Sequence, residues 1–258
     1  MLSYERQSHI IQYIQQRLSV SVNELSEQFG VSAMTIRRDL ETLESAGLTR
    51  RVIGGAISTV SRSYEPPFAS RVVEAQEAKR AIAEAASAYV EFGETAILDV
   101  GSTALELARV LRNRAGLTVI TANVRAAVEL SSEPSMRVIL CGGEVRPGEL
   151  SLIGAGPERT FAELNCDVLF LGVGGVHPEK GFTEYSLDDA RIKRAAIAAS
   201  TRCVALADAS KLERICLATV APLTTADVLI SDAPPDHPTL EAAREAGVEV
   251  VTVTPLEA

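Results

Sequence analysis

Nowhere does this sequence run for the roughly 18 unbroken apolar residues that a membrane-spanning helix needs, although 47% of its 258 residues are hydrophobic. Its first residues, Met1 to Arg6, lack the basic-then-apolar order of a secretory leader. Cysteine is sparse: Cys141, Cys166, Cys203 and Cys216 are scattered without a C-x-x-C pair, which argues against thiolate metal sites and redox motifs. Each lies in or beside an apolar run, where free cysteine packs as a small buried residue. These absences predict a cytoplasmic chain with no metal, cofactor or membrane attachment. The apolar content is ample for one large domain or two unequal ones.

Excess positive charge is also missing, since the net charge is −9. The deficit is unevenly placed. Residues 1–57 carry six arginines (Arg6, Arg17, Arg37, Arg38, Arg50, Arg51) against six acidic residues, so the whole excess of negative charge falls beyond them. An acidic body discourages loose adhesion to nucleic acid, so any affinity for DNA must come from a local patch in those first residues.

Ile10, Ile11, Ile14 and Leu18 recur at helical spacing and predict an amphipathic helix over about 4–17. Ser21-Val22-Asn23-Glu24 has the form of a capping box, opening a short helix that buries Val22, Leu25 and Phe29 and stops at Gly30. Ser32 caps a third helix over 32–45, with Ile36, Leu40 and Leu43 on its buried face. Met34 and Arg38 fall on the opposite face, with Thr35 and Arg37 on the flanks, and Gly47 ends the helix. Leu48 to Ala56 alternates and carries Arg50, Arg51 and a Gly54-Gly55 turn signal, the pattern of a small β-wing. Alone, Arg37 and Arg38 would read as a solvated helix face. Behind a tight turn and beside a basic wing, they read as a recognition helix for the major groove, with Ser32, Met34, Thr35, Arg37, Arg38, Arg50 and Arg51 on the duplex.

Val20 to Leu25, Phe29 to Ser32 and Thr35-Ile36-Arg37-Arg38-Asp39-Leu40 together resemble the DNA-binding signature of the DeoR family of bacterial regulators. Gly47-Leu48, Arg51 and Gly54-Gly55-Ala56 continue the likeness, except that Ile53 stands where the family often has His, so a wing contact by that side chain is lost. The resemblance implies a winged helix-turn-helix repressor of a carbohydrate-catabolism operon, bound to operator DNA as a homodimer or homotetramer.

Ser58 to Phe68 is rich in Ser and holds Pro66-Pro67, which break regular structure. A linker over 58–74 is therefore expected between a DNA-binding domain at 1–57 and a second domain at 75–258. Ala75 to Phe92 reads as helix. Ala96 to Val100, Leu117 to Thr121, Met136 to Cys141, Val168 to Val173, Cys203 to Ala207, Val228 to Ser231 and Val248 to Val253 read as short apolar strands alternating with helices. This alternation predicts an α/β domain with a Rossmann-like, mostly parallel sheet, whose ligands sit beyond the carboxyl ends of the strands. Asp99-Val100-Gly101-Ser102-Thr103 leaves one such strand and opens a helix, as an anion site does. Gly142-Gly143, Gly172 to Gly175 and Asp208-Ala209-Ser210-Lys211 follow three others. One such loop is usually a helix cap; four favour a phosphate-bearing ligand.

This second region resembles the DeoR-family effector domain, similar in fold to ribose-5-phosphate isomerase and glucosamine-6-phosphate deaminase. The matching positions are Gly101-Ser102-Thr103, Gly142-Gly143, Gly181, Thr183, Lys193 and Asp208 to Lys211. The resemblance implies a phosphorylated sugar held by Gly101, Ser102, Thr103 and Lys193, with Asp208 and Lys211 lining the sugar end or supporting the loops. Lys193 also reads as a solvated helix lysine beside Arg191 and Arg194. Asn123 follows Ala122 where the family has Thr-Asn directly, and either contacts ligand or caps a helix. His177 stands in place of an aspartate, and either bonds a sugar hydroxyl or faces solvent before Pro178. Asp188, Asp189 and Asp208 are carboxylates that an isomerase would need, but loss of the aspartate at His177 argues against turnover and for a repressor without catalytic residues.

Overall fold

A computed structural model of the protein describes residues 3–17, 19–46, 48–58, 62–112 and 114–255. They belong to two compact units that divide between Pro66 and Pro67.

The first unit comprises α1 (Ser3–Arg17), β1 (Ser19–Ser21), α2 (Val22–Phe29), α3 (Ala33–Ser45), β2 (Thr49–Val52) and β3 (Gly55–Ser58). Ile10, Ile11 and Ile14 of α1 share one core with Leu25 of α2 and with Ile36, Leu40 and Leu43 of α3. Leu18 and Gly47 lie outside the described residues. Phe29 is half-buried rather than sealed in the core, stacked on His9 and meeting Tyr13 edge-on. The strands form an antiparallel sheet in the order β1-β3-β2. The hairpin turns at Ile53-Gly54, because Val52 pairs with Gly55, one residue earlier than the Gly-Gly signal suggests. The reason is close packing: a Cβ on Gly55 would lie 1.9 Å from the Val20 carbonyl oxygen, so only glycine lets β3 run beside β1.

The second unit opens with α4 (Phe68–Val73), inside the stretch read as a connector; Pro67 precedes it with a backbone already set for the turn. Helix α5 (Gln76–Ala86) tightens into a 3-10 turn at Ser87–Tyr89. The chain then forms β4 (Thr95–Leu98), α6 (Ser102–Leu111), β5 (Thr118–Thr121), α7 (Val124–Leu130) and β6 (Arg137–Leu140). A hairpin of β7 (Glu144–Arg146) and β8 (Ser151–Ile153) leads into α8 (Ala155–Ala162) and β9 (Cys166–Gly172). There follow β10 (Gly175–His177), β11 (Gly181–Glu184), α9 (Leu187–Ala198), β12 (Ser200–Leu206), β13 (Ala218–Ala221), β14 (Val228–Ser231), α10 (Pro238–Glu245) and β15 (Glu249–Thr252).

Every apolar run read as a strand in this region joins one seven-stranded sheet, ordered β15-β14-β12-β9-β4-β5-β6, and every pairing in it is parallel. Alternation along the strands feeds two cores, as a sheet covered on both faces requires. Ile97, Ile120 and Leu169 face one core; Ala96, Leu98, Val119 and Phe170 face the other. The strands that the sequence did not announce are short and antiparallel: the β7-β8 hairpin and a three-stranded sheet ordered β10-β11-β13.

The strand order fixes where a ligand crevice lies. From β4 the chain builds outward through β5 to β6, then returns to the other side of β4 as β9 and builds outward the opposite way. The carboxyl ends of β4 and β9 therefore flank the topological switch point, the place where open α/β sheets take their ligands.

Candidate functional site

In the first unit, the α2-turn-α3 geometry is set by its caps. Ser21 Oγ accepts the Glu24 N–H at 3.1 Å while Glu24 Oε2 accepts the Ser21 N–H at 2.7 Å, which holds the Glu24 carboxyl below the usual range. Helix α2 ends at Gly30 in the left-handed conformation, and Ser32 Oγ caps α3 through the Thr35 N–H at 3.2 Å. The hydroxyls of Ser32 and Thr35 lie 3.0 Å apart at the positive end of α3, a place that favours a phosphate oxygen. Met34 is 60% exposed, and Arg37 and Arg38 project to solvent from the same helix. Among the described residues no carboxylate pairs with Arg37, Arg38 or Arg50. Arg51 is tethered: its guanidinium lies 2.9 Å from Glu41 and its N–H donates to Glu44 at 2.8 Å. These contacts are exposed and weak.

The sequence reading missed Asp39, the acidic residue inside the Thr-Ile-Arg-Arg-Asp-Leu run. It is buried, and it accepts hydrogen bonds from Arg6 at 2.6 and 3.3 Å, Gln7 at 3.0 Å and Ser3 at 3.2 Å. Arg6 thus belongs to the framework that fixes α3 against α1, not to a surface patch.

In the second unit, Asp99 follows β4 and Gly172 ends β9, so both stand at the switch point. The Gly172 N–H donates to Asp99 Oδ2 at 2.9 Å. Lys193 reaches in from α9, with its Nζ 2.5 Å from Asp99 Oδ2, 2.9 Å from the Gly172 carbonyl and 3.3 Å from Glu184 Oε2. Lys193 is 1% exposed, which disposes of the solvated-lysine reading; flanking Arg191 and Arg194 do face solvent. Burial pushes the Asp99 carboxyl up against the pull of Lys193. Burial alone would lower Lys193, but Asp99 and Glu184 outweigh it and keep the ammonium above the ordinary lysine value.

Beside this cluster, Gly101 enters α6 with φ +110, a conformation that favours glycine, and the Ser102 and Thr103 hydroxyl side chains are buried at the helix N-terminus. Asn123 caps α7, accepting the Arg125 and Ala126 N–H groups at 3.1 and 3.2 Å, while its amide donates to the Asp99 carbonyl at 3.5 Å. Gly142 and Gly143 follow the edge strand β6, two strands from Asp99, where they pack against Gly156 and Pro157 of α8. Thr183 is a fastener: its Oγ1 accepts the Cys216 N–H at 3.0 Å and donates to the Gly175 carbonyl at 3.3 Å. His177 is half-exposed and its Nδ1 accepts the Glu179 N–H at 3.2 Å, which closes the β10-β11 turn.

Asp208 follows β12 and lies next along the sheet from the switch point. Its Oδ1 accepts the Ser210 N–H at 3.0 Å and the Ser210 hydroxyl, and Lys211 Nζ sits 3.3 Å from Oδ2. Burial alone would raise this carboxyl, but Lys211 and Lys79 outweigh it and hold it down to about 2. Lys79, absent from the sequence reading, is 1% exposed, donates to the Arg71 and Glu74 carbonyls, and is lowered to about 8 by burial. A signal existed: Lys79 falls on the apolar stripe of α5 with Ala78, Ile82, Ala83 and Ala86, where a solvated lysine has no place.

The carboxylates considered for proton transfer are engaged elsewhere. Asp189 pairs with Arg146 at 2.6 Å and Asp188 pairs with Arg191 at 3.4 Å on the surface. All four cysteines are buried and free. Among the described residues no helix is long and apolar enough to cross a membrane.

A helix-turn-helix with a β-wing, followed by a parallel α/β unit with a buried polar cluster at its switch point, is the architecture of a DNA-binding regulator with a sensor domain. Residues 6–62 match the DeoR-like helix-turn-helix domain and residues 74–233 match the DeoR C terminal sensor domain, so the chain belongs to the DeoR family of transcriptional regulators. It is 34% identical over 250 residues to the HTH-type transcriptional regulator GolR of Listeria innocua, covering 97% of this chain and 98% of that one. It is 35% identical to the regulator GlpR of Haloferax volcanii over 97% and 98% of the two chains. It is 32% identical to the glycerol-3-phosphate regulon repressor of Escherichia coli K12 over 91% and 93%. A ribose 5-phosphate isomerase A structure from Methanocaldococcus jannaschii is a distant likeness, covering 54% of this chain and 55% of that one at 19% identity and a TM-score of 0.41.

Proposed function

We propose that this protein is a cytoplasmic repressor of a sugar-related operon, released from its operator when a phosphorylated sugar or polyol binds at the switch-point crevice. The observation that carries the reading is the pairing, in one chain, of a helix presenting Arg37 and Arg38 to solvent with a Gly101-Ser102-Thr103 anion loop beside Asp99. The name of the Escherichia coli relative points to a phosphorylated polyol as the kind of signal. Arg37 and Arg38 read guanine edges, and Ser32, Thr35, Met34, Arg50 and Arg51 fix the helix and wing on the backbone. A homodimer or homotetramer presents paired helices to successive major grooves, about 34 Å apart or a multiple of it.

Ligand at the Gly101–Thr103 loop acts by favouring an arrangement of the oligomer that no longer fits that spacing. Linkage makes the effect reciprocal: operator DNA weakens ligand binding by the factor by which ligand weakens DNA binding. Catalysis has little support. Asp188 and Asp189 are paired with arginines, Asp99 is held by both Lys193 and the Gly172 N–H, and Asp208 is paired with Lys211 and held down to about 2, which makes each a poor base for an aldose–ketose isomerisation. Calorimetry with phosphorylated sugars, run with and without operator, tests the scheme. Identical ligand affinity in the two titrations refutes it, as does turnover of any of the compounds.

A further inference from the structure

The helix that opens the second unit is held by residues next to the candidate effector loops. Phe68, the first residue of α4, is 6% exposed. Two guanidinium groups lie over its ring, that of Arg125 at 4.2 Å from the centroid and that of Arg71 at 5.5 Å, both within cation–π reach. Arg71 is ion-paired with Glu149 in the β7-β8 turn, where the two side chains are only 10% and 13% exposed. Arg125 Nη2 donates to the Gly148 carbonyl of the same turn at 3.3 Å. From Arg125 the bonding continues inward. Its N–H donates to Asn123 Oδ1 at 3.1 Å, and the Asn123 amide donates to the Asp99 carbonyl at 3.5 Å. Helix α4 also packs on α6, which begins with Ser102 and Thr103.

The far end of α4 is a strained bend. Ala75 takes φ +50 and ψ +40, the left-handed conformation in which a Cβ crowds the backbone. Lys79 steadies the bend by donating to the Arg71 and Glu74 carbonyls just before it. Strain held in place by a few side-chain bonds suits an element with two positions. At its near end α4 continues from Pro66-Pro67. Proline fixes φ, so a shift of Phe68 is passed along the chain instead of being absorbed there. We propose that Phe68 and Arg125 couple the sensor site to the DNA-binding unit: ligand at the Asn123 and Gly101–Thr103 loops displaces Arg125, Arg125 displaces Phe68, and α4 carries the shift into the linker. This inference rests on the effector site argued above and adds the route by which its occupancy is read. Both side chains are positioning residues, and the coupling they carry is a free energy separable from binding at either site.

The test uses the full chain, a genomic fragment selected by the wild-type protein, and glycerol 3-phosphate, glucose 6-phosphate and fructose 6-phosphate as probes. The wild-type protein is expected to lose about tenfold or more in DNA affinity with at least one probe. Phe68→Leu keeps an apolar side chain without the ring, and Arg125→Met keeps the length without the charge. In each variant that loss is expected to shrink below about threefold, while calorimetry without DNA finds the probe's affinity within about threefold of wild type. Hydrogen exchange over residues 68–74 supplies a readout that packing alone would not move. It is expected to change when the probe binds wild type and to stay constant when it binds Arg125→Met. Undiminished release in either variant overturns the coupling and leaves the effector site standing. Parallel loss of probe binding and release makes the residues part of the pocket or of the fold, and overturns the coupling too. A wild-type protein that no probe releases from DNA removes the effector reading itself, and the coupling with it.

Discussion

Arg6 Nε donates to Asp39 Oδ2 at 2.6 Å, with the two side chains only 10% and 4% exposed. The pair joins the first helix to the buried side of α3, so it fixes how α3 packs. Truncating one member of a buried pair leaves the other uncompensated, at about 3–5 kcal/mol. Arg6→Ala is therefore expected to speed hydrogen exchange along α3 and to weaken DNA binding without removing a DNA contact. The double variant Arg6→Met with Asp39→Leu is expected to recover most of the exchange protection. Wild-type exchange rates in Arg6→Ala would show that the pair holds nothing.

Arg37 and Arg38 are both exposed on α3, and the mutational signature separates their roles. A base-reading arginine is expected to cost about 1–3 kcal/mol and to relax sequence preference at one position. A phosphate-binding one weakens all sequences alike and lowers the salt slope by about one. Mobility shifts of Arg37→Ala and Arg38→Ala on a genomic fragment selected by the wild-type protein, repeated at several salt concentrations, assign each residue. Unaltered shifts in both variants would move the DNA surface elsewhere.

The features legible in the sequence were those in which neighbouring residues carry the information. The Ser21-Glu24 capping box, the stop at Gly30 and the seven apolar strand runs are local patterns, and each appears in the fold. The β10-β11-β13 sheet stayed hidden because its strands mix glycine, threonine, histidine and glutamate with their apolar residues, without the unbroken apolar runs of the main sheet. Lys193 looked solvated because Arg191 and Arg194 flank it, whereas its partner Asp99 lies 94 positions away. Asp39 likewise finds Arg6 at a separation of 33. Long-range charge pairing leaves no periodic trace, so the candidate loops could be named but their internal bonding could not.

Lys193 is the only cation bridging Asp99 and Glu184 among the described ion pairs of that cluster. Lys193→Met leaves two buried carboxylates facing each other, with an expected loss of about 3–5 kcal/mol. Adding Asp99→Asn is expected to restore part of it, since the two changes couple. The pH dependence has a definite sign. Without the ammonium, the folded Asp99 carboxyl rises further above its unfolded value, so the folded state binds the extra proton and gains stability as pH falls. The melting-temperature gap between Lys193→Met and wild type is expected to narrow from pH 8 to pH 5. A constant gap would mean that the cluster is not electrostatically coupled.

Lys79 gives the opposite limb of the pH profile. Burial lowers its pKa from 10.5 to about 8, so between those values the unfolded chain keeps a proton that the folded chain has released. The unfolded state then binds more protons, and stability rises with pH across that window. The full difference corresponds to about 3 kcal/mol, none of it gained while Lys79 is charged in both states below pH 8. Tyr185 opposes the gain at the alkaline end, because burial raises its hydroxyl well above the ordinary tyrosine value and the folded state holds that proton longer. The informative range is therefore pH 8 to 10, read as a difference between proteins and not as one curve. Denaturant titrations of wild type and Lys79→Met at pH 7, 8, 9 and 10 isolate the lysine, since all other groups are shared. Wild type is expected to gain on the variant steadily from pH 8 upward. Parallel curves would mean that Lys79 keeps its proton throughout, stabilised by Asp208 and by the Arg71 and Glu74 carbonyls it caps.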